Sequence, residues 1–305
     1  MKKLAPFFVI LAASLWAVDG IVLRPVLFSL PVTLVVFVES TIVAILLTPF
    51  MLKYFSDIKA LESKDWLAFI GVALFGGAIG TMAITKALFY VDYVNLSIVV
   101  LIQKLQPIFA ISLAAFFLKE KPPREFFLWA GLAIIGAYFM TFGFHIPVIS
   151  ASDKTTIAAL FALLAAVSFG SSTVLSKRAL KNTSYELGTY LRFAITSIIM
   201  LIIVLASGTI NKIGNISGTQ ISIFLLIAFT TGGPAIFLYY FGLKRISASV
   251  ASICELAFPL TAVILEFILR HNILGPVQWV GAIVLLGSIL RVTNIRAFQQ
   301  NSEAE

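Results

Sequence analysis

Two polar side chains stand four residues before a proline inside apolar stretches of this 305-residue chain: Gln103 before Pro107, and Glu255 before Pro259. Proline has no N–H to give the carbonyl four residues back. Each break therefore sets a freed backbone acceptor beside a polar side chain at one depth, a combination suited to holding a ligand; the bland alternative is a mere kink whose backbone groups are satisfied by neighbours. Asp19, Glu39, Lys86, Lys104, Arg192 and Glu266 also fall within apolar runs. A charge costs about 2.5–3.5 kcal/mol at the centre of a membrane helix, so these groups must pair or face an aqueous cavity. Depth along the runs, at 1.5 Å per residue, matches Glu39 with Lys104 and Arg192 with Glu255. The bland alternative for both pairs is a closed ion pair that only fixes helix register. Lys86, near a helix end, reads as snorkelling, with a ligand role as the alternative, and Glu266 as either vestibule or solvated rim. Trp16, Tyr239 and Tyr240 are candidates for cavity walls, with packing or interface anchoring as the commoner fate of such rings.

Other chemistries are missing. A single cysteine, Cys254, excludes a disulfide framework and a cysteine-rich metal site. Only His145 and His271 represent histidine. No stretch carries a Gly-rich phosphate loop, a metal-ligand cluster or a catalytic-triad spacing, so neither catalytic residues nor a cofactor are expected. The chain reads as a conduit.

The elements that must position these residues are membrane helices. The chain is 60% hydrophobic and 12% charged, with mean hydropathy +1.04; a soluble domain is nearer a quarter charged. Runs of about 20 apolar residues, the length that crosses the hydrocarbon core, occur at 4–23, 32–54, 66–89, 96–118, 126–144, 156–175, 187–206, 221–243, 250–269 and 276–292. The expected fold is all-α, with ten transmembrane helices. The first run begins like a signal peptide, but it is too long and passes through Asp19 into Arg24 without a small-residue cleavage site.

A shift of 152 lays the second half on the first. Pro107 falls on Pro259, Gln103 on Glu255, Asn95 on Ser247, Gly80 on Gly232 and Phe89 on Phe241. The net charge of +8 does not imply nucleic acid, because Lys and Arg sit in short loops between spans. Fifteen fall on the side of the termini and four, Arg24, Lys154, Lys212 and Arg270, on the other, which by the positive-inside rule puts both termini in the cytoplasm. Five helices per copy then make the repeats inverted. The expected division is a first repeat at 1–145, an outer linker at 146–155, a second repeat at 156–296 and a cytoplasmic tail at 297–305. Gly131, Gly136, Gly281 and Gly287 are read as close-packing positions on helices 5 and 10.

These residues carry a family likeness. The stretch GLKRISASVASICELAFPLTAVILEFIL followed by WVGAIVLLG, and in the first half TKALFYVDYVNLSIVVLIQKLQPIFAISLAAFFLKEK with WAGLAIIG, resemble the EamA-type repeat of the drug/metabolite transporter superfamily. AASLWAVDG and AAVSFGSSTVLSKR are similar to its repeat openings. The resemblance implies a ten-helix inverted-repeat carrier of amino acids, other metabolites, drugs or nucleotide sugars, with a central cavity and with helices 5 and 10 more peripheral. The chain departs from the family pattern at Asn272, where the first copy has Glu120. It departs again at Glu39, where a basic residue matching Arg192 is usual, and at Asp19, where a small or polar residue is more usual.

Paired interrupted helices at matching positions of two halves mark a transporter's substrate site. The expected function is export of small amphipathic metabolites such as amino acids, by rocking one half against the other in the plasma or inner membrane. Trp16, Asp19, Glu39, Gln103, Lys104, Arg192, Tyr239 and Glu255 would serve the substrate, with Pro107 and Pro259 as the helix breaks. The alternatives are a sugar-phosphate or nucleotide-sugar antiporter and, in another class, a lipid-modifying membrane enzyme. Expected partners are a small molecule, protons through Glu255 and the lipid bilayer, for a monomer or homodimer. Single cysteines at Ser63 and at Asn215, in a variant lacking Cys254, should label from opposite sides of the membrane; labelling of both from outside contradicts this topology.

Overall fold

With no water in the bilayer core, a spanning segment must satisfy its backbone internally, and an apolar run of this length does so as a helix. The computed structural model describes residues 4–89, 99, 102–144, 153–270 and 275–295, without the side chains of a few residues inside those helices, Glu266 among them. Every regular element among the described residues is helical. In chain order they are α1 (Ala5–Leu27), α2 (Val32–Met51) and α3 (Ser63–Leu88), then α4 (Gln106–Phe117), α5 (Arg124–Phe142), α6 (Asp153–Ala179) and α7 (Tyr185–Ala206). Three more follow: α8 (Gly218–Leu243), α9 (Ala248–Leu269) and α10 (Pro276–Thr293). Eight of the helices are long and apolar enough to cross a membrane; α4 is a shorter apolar helix, and of the run expected at 96–118, residues 96–98, 100 and 101 lie outside the described residues. The same holds for most of the expected linker, while α6 already starts at Asp153 within it.

Polar caps set several helix starts. Ser184 accepts from the Leu187 amide, Ser217 from that of Gln220 and Ser247 from that of Val250, satisfying donors that the first turn leaves orphaned. Helix α9 is interrupted at Glu255–Leu256, and the helical residues Ile102 and Gln103 are separated from α4 by a turn at Lys104–Leu105. Pro259 and Pro107 thus stand near the starts of the resumed helices, where the missing N–H costs little. The Glu255 carbonyl is not left as a free acceptor: the Phe258 amide takes it at 3.0 Å.

Among the described residues three stretches are π-helical: Asp19–Leu23 in α1, Ala73–Ile79 in α3 and Ala228–Gly232 in α8. The last two overlap under the 152-residue shift. A π stretch releases carbonyls from the i→i−4 ladder. In α3 the Gly76 carbonyl accepts from Thr81 Oγ1 at 3.0 Å and from Arg192 Nη2 at 3.3 Å.

Packing interleaves the two halves. Helix α2 lies on α7 and α5 on α10, while α1 packs on α8 and α9, and α6 packs on α3 and α4. Two three-helix groups result, α1/α8/α9 and α3/α4/α6, each built from both repeats. The first part of α9 meets α4 across the boundary between the groups.

The expected glycine contacts divide. A Cβ on Gly136 would meet the Leu285 amide at 2.7 Å and the Gly281 carbonyl at 2.9 Å, and one on Gly281 would overlap Met140 backbone. Gly131 and Gly287 have open space, so only Gly136 and Gly281 hold α5 against α10. Overpacking of this kind costs about 1–3 kcal/mol. Gly281→Val should lower the thermal midpoint of purified protein accordingly, while Gly287→Ala leaves it within a degree or two; equal effects contradict this division.

Candidate functional site

Glu255 ends the first part of α9, where the interruption turns its side chain toward both three-helix groups. Its carboxylate accepts from three neighbours. Gln106 Nε2 of α4 donates to Oε2 at 2.5 Å, and Tyr239 Oη of α8 donates to Oε1 at 2.7 Å. Thr173 Oγ1 of α6 lies 3.2 Å from Oε1 and 3.0 Å from the Tyr239 hydroxyl, its single proton shared between them. The Trp16 ring of α1 sits 5.2 Å from the Tyr239 ring, inclined by 54°. Tyr239 is buried, whereas Trp16, Gln106 and Glu255 are half-buried. The arrangement presents an aromatic wall beside hydroxyl, amide and carboxylate groups. It can hold a ligand by stacking and hydrogen bonding, and it contains no activated nucleophile; Cys254 is fully buried in the core. Among the described residues no three His, Cys, Asp or Glu side chains are placed to hold a metal ion.

A second cluster lies toward the far end of α1. Arg24 Nε and Nη2 both donate to Asp19 Oδ2, at 2.8 and 2.5 Å, and Nη2 also donates to Glu39 Oε2 of α2 at 3.1 Å. The π stretch from Asp19 to Leu23 sets the two residues one wide turn apart, which closes the pair within α1. Arg24 and Asp19 are each only 8% exposed, and Asp19 Oδ1 and Arg24 Nη1 have no hydrogen-bond partner. An unpartnered buried polar atom costs about 1–3 kcal/mol, so this closed cluster carries tension.

Both expected ion pairs are corrected. Glu39 takes Arg24 rather than Lys104, because α2 packs chiefly on α7 and Arg24 is a buried residue of α1, not a loop charge. Lys104 instead donates to the Ala137 carbonyl of α5 at 3.1 Å, with its ammonium 5.6 Å from the centre of the Phe142 ring. Arg192 does not reach Glu255; its guanidinium is held by the Gly76 carbonyl, within Coulombic range of both Glu39 and Glu255.

Of the expected site residues, the structure brings Trp16, Tyr239 and Glu255 together and sets Asp19 and Glu39 on Arg24. It places Gln103 just before the first break, while Gln106, three residues on, makes the contact to Glu255. Tyr240 is buried and bonds Ser176 Oγ at 3.0 Å, a packing role. Lys86 is exposed. Sequence reasoning missed Gln106, Thr173 and Arg24. Gln106 had a signal, being polar and adjacent to the proline; Arg24 stood five residues from Asp19 in the same run. Thr173 had none among its neighbouring serines and threonines.

Apolar spanning helices, a two-copy sequence and a polar cluster at matched helix breaks define a membrane carrier rather than an enzyme. A family model for the EamA-like transporter family matches residues 3–142 and again 156–294. The chain belongs to that family and is a multi-pass membrane transporter. It is 46% identical over 289 residues to the riboflavin transporter ImpX of Fusobacterium nucleatum subsp. nucleatum, covering 94% of this chain and 96% of that one. It is also 27% identical over 203 residues to the uncharacterized transporter YwfM of Bacillus subtilis, covering 65% of this chain and 64% of that one. A crystal structure superposes with a TM-score of 0.74 over 98% of both chains at 15% identity, a likeness of fold alone.

The Arg24 cluster makes a stability prediction. Arg24→Met leaves two carboxylates buried without their cation and should cost about 3–5 kcal/mol. Adding Asp19→Asn and Glu39→Gln should recover most of that loss in denaturation of purified protein; strict additivity of the three changes contradicts the cluster.

Proposed function

We propose that the chain carries riboflavin, or a flavin of the same shape, across the cell membrane. The observation that carries the reading is the Trp16–Tyr239 ring pair joined directly to the Glu255–Gln106–Thr173 polar cluster. Riboflavin is uncharged near neutral pH, with a flat ring system at one end and a polyhydroxylated chain at the other. Aromatic faces take the rings, and a carboxylate, an amide and a hydroxyl take the chain. The identity to a riboflavin transporter over nearly its whole length supports the same substrate.

The expectation of zwitterionic amino acids rested on Arg192 turning from Glu255 to a substrate carboxylate. With Arg192 held by the Gly76 carbonyl and Glu255 held by neutral donors, the arrangement favours a neutral substrate instead. Ten spans in two inverted repeats, cytoplasmic termini and alternating access between the two three-helix groups complete the reading. Glu255 bonds α4, α6 and α8 at once, so substrate that competes for those donors loosens the groups. A proton on Glu255 is the proposed coupling ion, its charged neighbour being Arg192 and its titratable contact Tyr239.

Purified protein in liposomes loaded with unlabelled riboflavin should accumulate labelled riboflavin by counterflow, and a panel of labelled amino acids should not. Amino acid counterflow without riboflavin counterflow overturns the substrate. Thr173→Val removes one hydrogen bond to the carboxylate and should slow exchange about tenfold, the low end for a hydrogen bond to a charged group. Glu255→Gln keeps the shape but removes the titration; exchange should survive while accumulation driven by a pH gradient is lost. Wild-type behaviour on both counts reduces Glu255 to a structural role.

A further inference from the structure

The turn between α8 and α9, residues 244–247, is held at both of its helix ends by charges from the other three-helix group. On one side Lys177 Nζ of α6 donates to the Leu243 and Lys244 carbonyls, at 3.2 and 3.1 Å, at the C-terminus of α8. On the other, the Glu120 carboxylate, just beyond α4, accepts from the Ala248 and Ser249 amides at 2.8 and 3.1 Å and from Ser249 Oγ at 2.6 Å, at the N-terminus of α9. A cation at a helix C-terminus and an anion at an N-terminus are each the favourable partner of the helix dipole. The backbone aims the carboxylate. Lys119, between α4 and Glu120, takes φ 55°, a left-handed conformation unusual outside glycine, and the Glu120 amide reaches back to the Ala114 carbonyl at 3.2 Å. Strain of this kind persists where surrounding structure demands it.

We propose that Glu120 and Lys177 form the gate of the face on which α1 begins, clamping the α8–α9 turn to the α3/α4/α6 group, and that this clamp releases when substrate passes through that face. Two observations set it apart from simple packing. It joins the two groups that, on the alternating-access reading proposed above on which this inference rests, separate to open a path to Glu255, and Ser249 and Ser252 beneath it are 0% exposed. Its charges are also not repeated in the sequence of the other copy. The 152-residue shift sets Asn272 where the first copy has Glu120, and Pro25 against Lys177. Arg24, beside Pro25, is spent on Asp19 and Glu39. The pair of charges that makes the clamp is therefore found in one copy of the sequence and not at the matching positions of the other, and the clamp biases the resting protein toward closure of its own face.

A cysteine at Ser252, one turn beyond Ser249 on the same side of α9, reports the gate in a background of Cys254→Ala. In protein reconstituted in nanodiscs, its labelling rate with a bulky polar maleimide should rise about ten- to hundredfold in Glu120→Gln and in Lys177→Met, the scale of losing hydrogen bonds to a charged group. Glu120→Asp, which keeps the charge, should restore a slow rate. Rates in both neutral variants within twofold of the parent overturn the gate. Should either variant fail to give monodisperse protein, Ser249→Ala removes only the hydroxyl bond to Glu120. It should raise labelling about threefold to tenfold, and an unchanged rate there overturns the proposal equally.

Discussion

A carboxylate within a membrane-spanning helix bundle is tolerated only when donors surround it, and the arrangement of this protein follows from how Glu255 meets that demand. No single helix supplies its partners. Gln106 comes from α4, Thr173 from α6 and Tyr239 from α8, so the carboxylate joins α9 to both three-helix groups at once. The interruption at Glu255–Leu256 makes this geometry possible, since a continuous helix would leave the side chain on one fixed face. The carboxylate that is costly to bury is thus also the joint between the two groups.

Charge is distributed unequally around that joint. Toward one face, Glu120 and Lys177 grip the α8–α9 turn through backbone groups at two helix ends. Toward the other, Arg24 is drawn inward by Asp19 and Glu39, leaving an acceptor and a donor of that cluster unpartnered. One side is closed by well-satisfied bonds and the other holds a cluster with unmet hydrogen-bonding capacity. The two copies of the sequence thus differ in charge at matching positions, Glu120 against Asn272 and Lys177 against Pro25.

Much of this was legible in the sequence. Length and apolarity gave the helices, and the matched prolines gave the breaks and the repeat. The placement of Glu255 before Pro259 pointed to the polar centre. Side-chain partners were not legible. Counting residues from helix ends fixes depth, but each residue rotates the side chain by about 100° around the axis, and which helices adjoin depends on packing. Glu39 and Lys104 match in residue count from their helix ends, yet Glu39 bonds Arg24 and Lys104 bonds the Ala137 carbonyl. The π stretch at Asp19–Leu23 leaves no mark in composition, so Arg24 read as a loop charge until the helix was seen to continue through it. Gln106 was passed over because the repeat register pointed to Gln103, while the turn at Lys104–Leu105 brings the later glutamine to the site.

The claim that an aromatic pair and the Glu255 cluster make one flavin-binding site is most directly tested by binding without transport. Flavin fluorescence is quenched when the ring system stacks on indole. Titrating purified wild-type protein into riboflavin should give saturable quenching, with the quenching lost in Trp16→Leu and the affinity weakened in Thr173→Val. No saturable change with the wild-type protein, or quenching indifferent to both substitutions, contradicts the account.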